Sequence, residues 1–211
     1  MRRTKGGKLA RLLQIALAVG YPLLVYFALG VVSARALGLA ILALFALRLA
    51  LARPGSLRAY ARLAGPAGAA FVAAGVASLV WNDPRVLLLT PALVNLGLLA
   101  AFASSFAARE TLIESFALAQ VGTLSAEEHA YCRRVTALWC AFLGANASAI
   151  VWLALAGTRE LWALYTGIVA YVLLGVLFAA EFVYRHWRFR RYVGLPSDAL
   201  LRRIFPPHPL K

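Results

Sequence analysis

Charged residues in this chain are confined to the gaps between long apolar runs, and that segregation restricts the fold more than any other feature. The runs fall at about 12–29, 36–52, 66–81, 86–107, 135–156 and 161–184. A helix needs roughly 20 apolar residues to cross a hydrocarbon core of about 30 Å. Backbone in lipid must also satisfy its own hydrogen bonds, which leaves helices as the spanning element for runs of this kind. The expected fold is all-α, a polytopic transmembrane helix bundle of about six spans. Composition agrees: 63% of residues are hydrophobic and 14% charged, against about 45–50% apolar in a soluble domain.

The net charge of +14 raises the question of nucleic acid, which the distribution of the charge excludes. Lys and Arg line the gaps between runs and form no single basic domain. Sorted by side of the membrane, Arg35, Arg85 and Arg159 fall on one side and the remaining 19 of the 22 basic residues on the other. The positive-inside rule then places both termini in the cytoplasm of a bacterial inner membrane. The basic N-terminal stretch, Met1 to Lys8, leads into an apolar run too long for a cleaved signal, so it reads as a retained first span. One transmembrane domain is expected over 1–192, with a cytoplasmic tail over 193–211. Trp81, Trp152 and Trp162 mark the outer interface, and Tyr184, Trp187 and Tyr192 the inner one.

Local signals refine this layout. Tyr21-Pro22 and Thr90-Pro91 predict kinks. Arg48 is placed to snorkel from the end of its run. Arg53 to Arg62 reads as a basic loop or short surface helix. The third run is rich in Gly, Ala and Ser, which lets helix backbones approach closely in lipid. Asn82-Asp83-Pro84 is a turn. Residues 109–128 read as a cytoplasmic amphipathic segment, with Leu112, Ile113 and Phe116 on one face and Glu110 and Glu114 on another. Ser125-Ala126-Glu127-Glu128 has the form of a capping box. Cys132 and Cys140 lie about 12 Å apart along one helix, too far for a disulfide.

Polar groups inside a membrane are the default site candidates. Asn95 and Asn146 fall near mid-depth of two runs, where amides can bond across helices or hold a polar ligand. Glu181 precedes Arg185 by one turn, the spacing of a helical ion pair. Asp83, Arg85, Arg159 and Glu160 form an outer-face cluster suited to solvated loops or to a lipid headgroup. Glu110, Glu114, Arg133 and Arg134 are candidates for docking a partner on the cytoplasmic side. His129 and Cys132 lie one turn apart; nucleophilic catalysis would also need an oriented third group and a defined pocket, and no spacing in the chain signals them. The Arg-rich run from Tyr184 to Arg191 suits anchoring to anionic lipid. No catalytic residue is assigned, and neither a metal nor another cofactor is expected: no Walker loop, GxSxG, HExxH or Asp-rich motif occurs.

The order Asn82-Asp83-Pro84, Pro91, Glu110 to Phe116, Glu128, Arg133 to Phe142, Asn146 and Leu161 to Gly167 resembles a family of uncharacterised bacterial inner-membrane proteins. It is more distantly similar to the intracellular septation protein A family. The resemblance covers a little over half the chain, from about Gly65 to Arg185. It implies a small polytopic envelope protein without established catalytic residues. The closer family is often encoded beside fatty-acid-like ketosynthase genes for aryl polyene pigments, which implies an acyl-lipid or polyene context. The septation family carries Lys or a similar polar residue after its last-span Trp; here Tyr165-Thr166 follows.

Three readings follow. The first is a non-enzymatic component supporting cell-envelope or acyl-lipid and aryl polyene biosynthesis, with membrane lipids and biosynthetic proteins as its partners. The second is a lipid or polyene carrier or transporter, with a cavity reaching Asn95, Asn146 and Glu181. The third is a membrane acyl- or methyltransferase built around His129, Glu181 and His186.

Overall fold

The computed structural model describes residues 26–28, 31–50, 57–190, 204 and 206. Most of the first apolar run, its Pro22 kink, the side chain of Arg48, Tyr192 and most of the tail lie outside them. Among the described residues every regular element is helical. In chain order they are α1 (Ala34–Ala50), α2 (Leu57–Trp81), α3 (Pro84–Leu88), α4 (Thr90–Ser104) followed by a 3-10 turn at Ser105–Ala107, α5 (Leu112–Val121), α6 (Ala126–Ala156), α7 (Arg159–Leu164), a π turn at Tyr165–Val169, and α8 (Ala170–Phe189).

Among the described residues three stretches are long and apolar enough to cross a membrane: Thr90–Ala107, Ala126–Ala156 and Arg159–Phe189. The last two have 31 residues each, or about 46 Å at 1.5 Å per residue, so they exceed the hydrocarbon thickness. The surface agrees with lipid as the surrounding medium: Leu164, Ile168, Val172, Val176 and Phe178 follow one another along the last stretch, and all are exposed. A row of large apolar side chains of that length would aggregate in water. The apolar parts of α1 and α2, Ala34–Leu44 and Gly68–Trp81, are shorter.

One boundary differs from the sequence expectation. Helix α2 runs unbroken from Leu57 through Pro66 to Trp81, so of the two forms expected for the basic segment it takes the helical one from Leu57 onward, continuous with the third apolar run. Pro66 has no N–H for the i−4 bond, and one missing rung did not stop the helix. The break predicted at Thr90-Pro91 is present. Helix α3 ends at Leu88 and α4 starts at Thr90, where Pro91 again lacks the N–H that would continue the ladder. The Asn82-Asp83-Pro84 turn is also present. Asn82 takes φ 50°, a left-handed conformation that Asn tolerates. The Asp83 carboxylate then accepts the Arg85 N–H at 2.9 Å as the cap of α3.

The described residues form two compact units. The first contains residues up to 98 and Gly144–Tyr171. Its core joins Ala34, Leu87, Ala92, Ile150, Leu153 and Trp162. Helices α1 and α2 meet through Gly38 and Gly75: a Cβ added at Gly38 would lie 2.8 Å from the Gly75 carbonyl oxygen. Small residues thus do what they were expected to do in this pair of helices. Arg35 closes the same contact, its Nε donating to the Leu79 carbonyl at 3.1 Å and its backbone N–H to Asn82 Oδ1 at 3.1 Å.

Trp162 corrects an expectation. Trp81 and Trp152 are exposed, as interfacial residues should be, but Trp162 is 0% exposed. Its indole Nε1–H donates to the Leu88 carbonyl at 3.0 Å. The helix end at Leu88 offers carbonyls where the helix is interrupted, and a buried indole needs an acceptor.

The second unit contains Leu99–Leu143 and the described residues from 172 onward. Trp139 packs against Phe102 and Phe178 at 6.0 and 4.6 Å between ring centroids. Tyr131 stacks on Tyr184 at 5.6 Å and meets the edge of Phe189 at 5.1 Å. The capping box expected at α6 is formed. The Ser125 N–H donates to Glu128 Oε2 at 2.7 Å, and the Glu128 N–H donates to Ser125 Oγ at 3.3 Å.

Candidate functional site

In the first unit, Asn95 and Asn146 face each other. Asn146 Nδ2 donates to Asn95 Oδ1 at 3.0 Å. Asn95 Nδ2 donates to the Pro91 carbonyl at 2.8 Å. The Tyr165 hydroxyl donates to Asn146 Oδ1 at 2.8 Å. The elements explain the meeting. Asn95 follows Pro91 by one turn on α4, Asn146 lies in the second half of α6, and Tyr165 opens the π turn. A π turn is a single widened turn, often found where a side chain has a particular task. Tyr165 was not singled out in the sequence, because an aromatic residue in an apolar run carries no sign of its hydroxyl's partner. Interhelical side-chain bonds in membranes are worth about 0.6 kcal/mol on average and up to about 1.7. A double-mutant cycle with Asn95→Ala and Asn146→Ala should give coupling in that range; strictly additive losses would mean the bond contributes nothing.

In the second unit, ionisable groups gather around the start of α6 and the end of α8. Glu181 Oε1 lies 3.4 Å from Arg185 Nε, the expected i,i+4 pair. It also accepts from the Tyr131 hydroxyl at 3.3 Å. His186 is buried, and its Nδ1 lies 2.7 Å from the Phe182 carbonyl. That carbonyl can only accept, so Nδ1 carries the proton. Arg188 pairs with Glu127. A cavity of about 70 Å³ lies among Glu128, Tyr131, Cys132, Arg185 and His186, with Ala117 and Gln120 of α5 completing its wall. Pockets for small-molecule ligands run to about 300–1,000 Å³. This one suits water or a very small molecule.

Glu114 departs from its expected face. Read as a polar-face residue open to a partner, it is 3% exposed, while Phe116, read as apolar-face, is 57% exposed. Its carboxylate accepts from the Thr111 N–H at 2.5 Å, reaching back over the first turn of α5. Its other oxygen lies 3.1 Å from His129 Nδ1. The threonine-to-glutamate spacing at 111 and 114 is the same capping-box pattern as at 125 and 128, so the signal was present in the sequence. The carboxylate must therefore be counted out of any docking surface. Arg133 and Arg134 remain exposed and Glu110 partly so. The Arg133 guanidinium lies 5.6 Å from the Phe106 ring centre.

Burial alone would raise the Glu114 pKa. The bonds from Thr111 and His129 outweigh it and hold the carboxyl below its ordinary 4.5. A carboxyl depressed in the folded state adds stability above its unfolded value and loses it as pH falls through the folded value. Amide-exchange protection of 112–121 should therefore be level above about pH 4.5 and fall on further acidification. Glu114→Gln should remove that step, and an unchanged step in the variant would refute the assignment.

His129 held by a carboxylate has the form of an oriented base. Cys132 stands one turn away and is buried, yet no hydrogen bond joins it to His129 among the described residues. The thiol, the imidazole and the carboxylate behind it thus lie on α5 and α6, with the Glu114–His129 contact formed and no hydrogen bond between His129 and Cys132. Cys132 and Cys140 are both free thiols. Among the described residues no group of three His, Cys, Asp or Glu could hold a metal ion.

The outer-face cluster lies in the first unit. Asp83, Arg85 and Arg159 line one open cavity of about 320 Å³. Glu160 does not line it. Thr158 Oγ1 accepts the Leu161 N–H at 3.3 Å and caps α7. The four predicted intramembrane groups divide between the units: Asn95 and Asn146 in the first, Glu181 and Arg185 in the second. No protein-family model, curated protein or solved structure matches this chain.

Proposed function

We propose that this chain is a six-span bacterial inner-membrane protein with both termini in the cytoplasm, acting as a non-enzymatic component that supports cell-envelope or acyl-lipid biosynthesis. One observation carries the reading. Polar groups of the kind that serve chemistry are engaged with one another, and two of them, Tyr131 and Arg185, line a cavity of only about 70 Å³. Tyr131, Glu181 and Arg185 form one set, and Thr111, Glu114 and His129 another. Such pairing is how buried polar groups hold a structure together, although the buried Thr111 Oγ1 and Arg185 Nε make no hydrogen bond among the described residues. The resemblance of 65–185 to envelope proteins, with its acyl-lipid and aryl polyene context, supports the setting. The charge bias of 19 against 3 basic residues supports the orientation.

Arg133 and Arg134, exposed at the start of α6, are the docking residues in this reading. The test is crosslinking in native membranes, gentle purification of the full chain, and mass spectrometry of proteins and extracted lipids. A stoichiometric biosynthetic partner that is kept in Glu181→Gln and lost in Arg133→Glu/Arg134→Glu supports the scaffold. A turnover abolished by Glu181→Gln, with assembly unaltered, overturns it in favour of a transferase. Reporter fusions at Asp83 and Glu160 should report the far side of the membrane; a cytoplasmic signal at both would sink the topology.

A further inference from the structure

The 320 Å³ cavity lies beside the ends of the apolar stretches found among the described residues. Its walls come from the segments around Asp83–Leu88 and Leu153–Arg159. Those segments adjoin Thr90, Ala156 and Arg159, the ends of the three stretches long and apolar enough to cross a membrane. Antiparallel succession puts the start of the first, the end of the second and the start of the third on one side. The polar headgroup zone begins where the hydrocarbon core ends.

The lining has two characters. Leu88, Leu153 and Leu155 are apolar, while Arg85 and Arg159 are cationic. Among the described residues neither guanidinium makes a hydrogen bond or ion pair within contact distance. Asp83 also lines the cavity, but one of its oxygens is committed to the cap of α3. Glu160 acts on Arg159 only at longer range. Two arginines against one aspartate leave the lining with an excess of one positive charge. A guanidinium presents donors in a fork that matches phosphate oxygens, and its weak hydration suits it to the membrane interface. The volume falls within the range of small-ligand pockets, which runs from about 300 Å³ upward.

We infer that this cavity binds a phosphate-class anion, with Arg85 and Arg159 on the charge and Leu88, Leu153 and Leu155 against apolar substituents. The mixed lining fits a phosphodiester headgroup better than a bare ion. This inference goes beyond the scaffold reading and fails separately from it, because it concerns neither the cytoplasmic partner nor the cluster around Glu181.

The full chain should be reconstituted in phosphatidylcholine vesicles doped with phosphatidylglycerol carrying a photoreactive headgroup, and the labelled peptides mapped. Labelling of 83–88 and 153–159 is expected. In Arg85→Gln/Arg159→Gln it should drop about tenfold or more, the change that one lost charge-assisted contact produces. Labelling at the Arg-rich end of α8 should persist there and show that the variant is inserted and folded. Competition by unlabelled phosphatidylglycerol alone identifies a lipid. Competition by inorganic phosphate as well identifies the free anion as a ligand of the same site. Absence of label at 83–88 and 153–159 while the Arg-rich end is labelled overturns the inference, as does undiminished labelling in the double variant.

Discussion

Trp162→Ala should destabilise the protein by about 3–5 kcal/mol, the range for removing a large buried aromatic side chain. Trp162 is 0% exposed and packs within the core that holds Leu87, Ala92 and Ile150. Its removal opens a void that no neighbour is long enough to fill. Trp162→Phe keeps much of the volume but loses the bond to the Leu88 carbonyl, and should lose about 0.5–1.5 kcal/mol more than any packing change. Denaturation of the full chain in detergent, followed by circular dichroism, measures both. Equal midpoints for wild type and Trp162→Ala would show that the indole is peripheral.

The second large effect comes from the smallest change. Gly38→Ala places a methyl group 2.8 Å from the Gly75 carbonyl oxygen and 2.9 Å from Ser78 Cβ. Both are parts that do not swing aside, so α1 and α2 must separate. Overpacking of this kind loses about 1–3 kcal/mol. Gly175→Ala is the matched control, since nothing lies within 4 Å of the added carbon. There the helix gains about 0.5–1 kcal/mol from the lost flexibility of glycine. The same substitution should thus act with opposite sign at two positions. Stabilisation by Gly38→Ala would mean that the helices are not in close contact.

Period and charge segregation carried the helical fold, because both are properties of whole segments. Turn chemistry was equally readable: Asn82-Asp83-Pro84, Pro91 and the Ser125–Glu128 pair act within a few residues of themselves. What failed depended on distant neighbours. Trp162 occupies an interfacial position by hydropathy, and only the end of α3 at Leu88 explains its burial. Glu114 lies off its expected face although its capping pattern is visible, because periodicity alone assigns it to the polar face, and His129 fifteen positions later supplies the second bond. Asn95 and Asn146 were legible as a pair, since two amides in lipid need each other. Tyr165 was not, because the π turn that presents it leaves no mark in the sequence. Pro66 shows the converse, a strong local signal overridden within an otherwise regular helix.

The bonds through Tyr165, Asn146, Asn95 and the Pro91 carbonyl all point the same way. Each member gives a hydrogen to the next, and the last is a backbone carbonyl. Conduction of protons along such a row would require its far end to accept a hydrogen and release another, as a carboxylate or imidazole does. A peptide oxygen and two carboxamides have no such exchange near neutral pH. Tyr165, Asn146 and Asn95 therefore cannot relay protons along this row, which acts within the first unit as a fixed tie between helices.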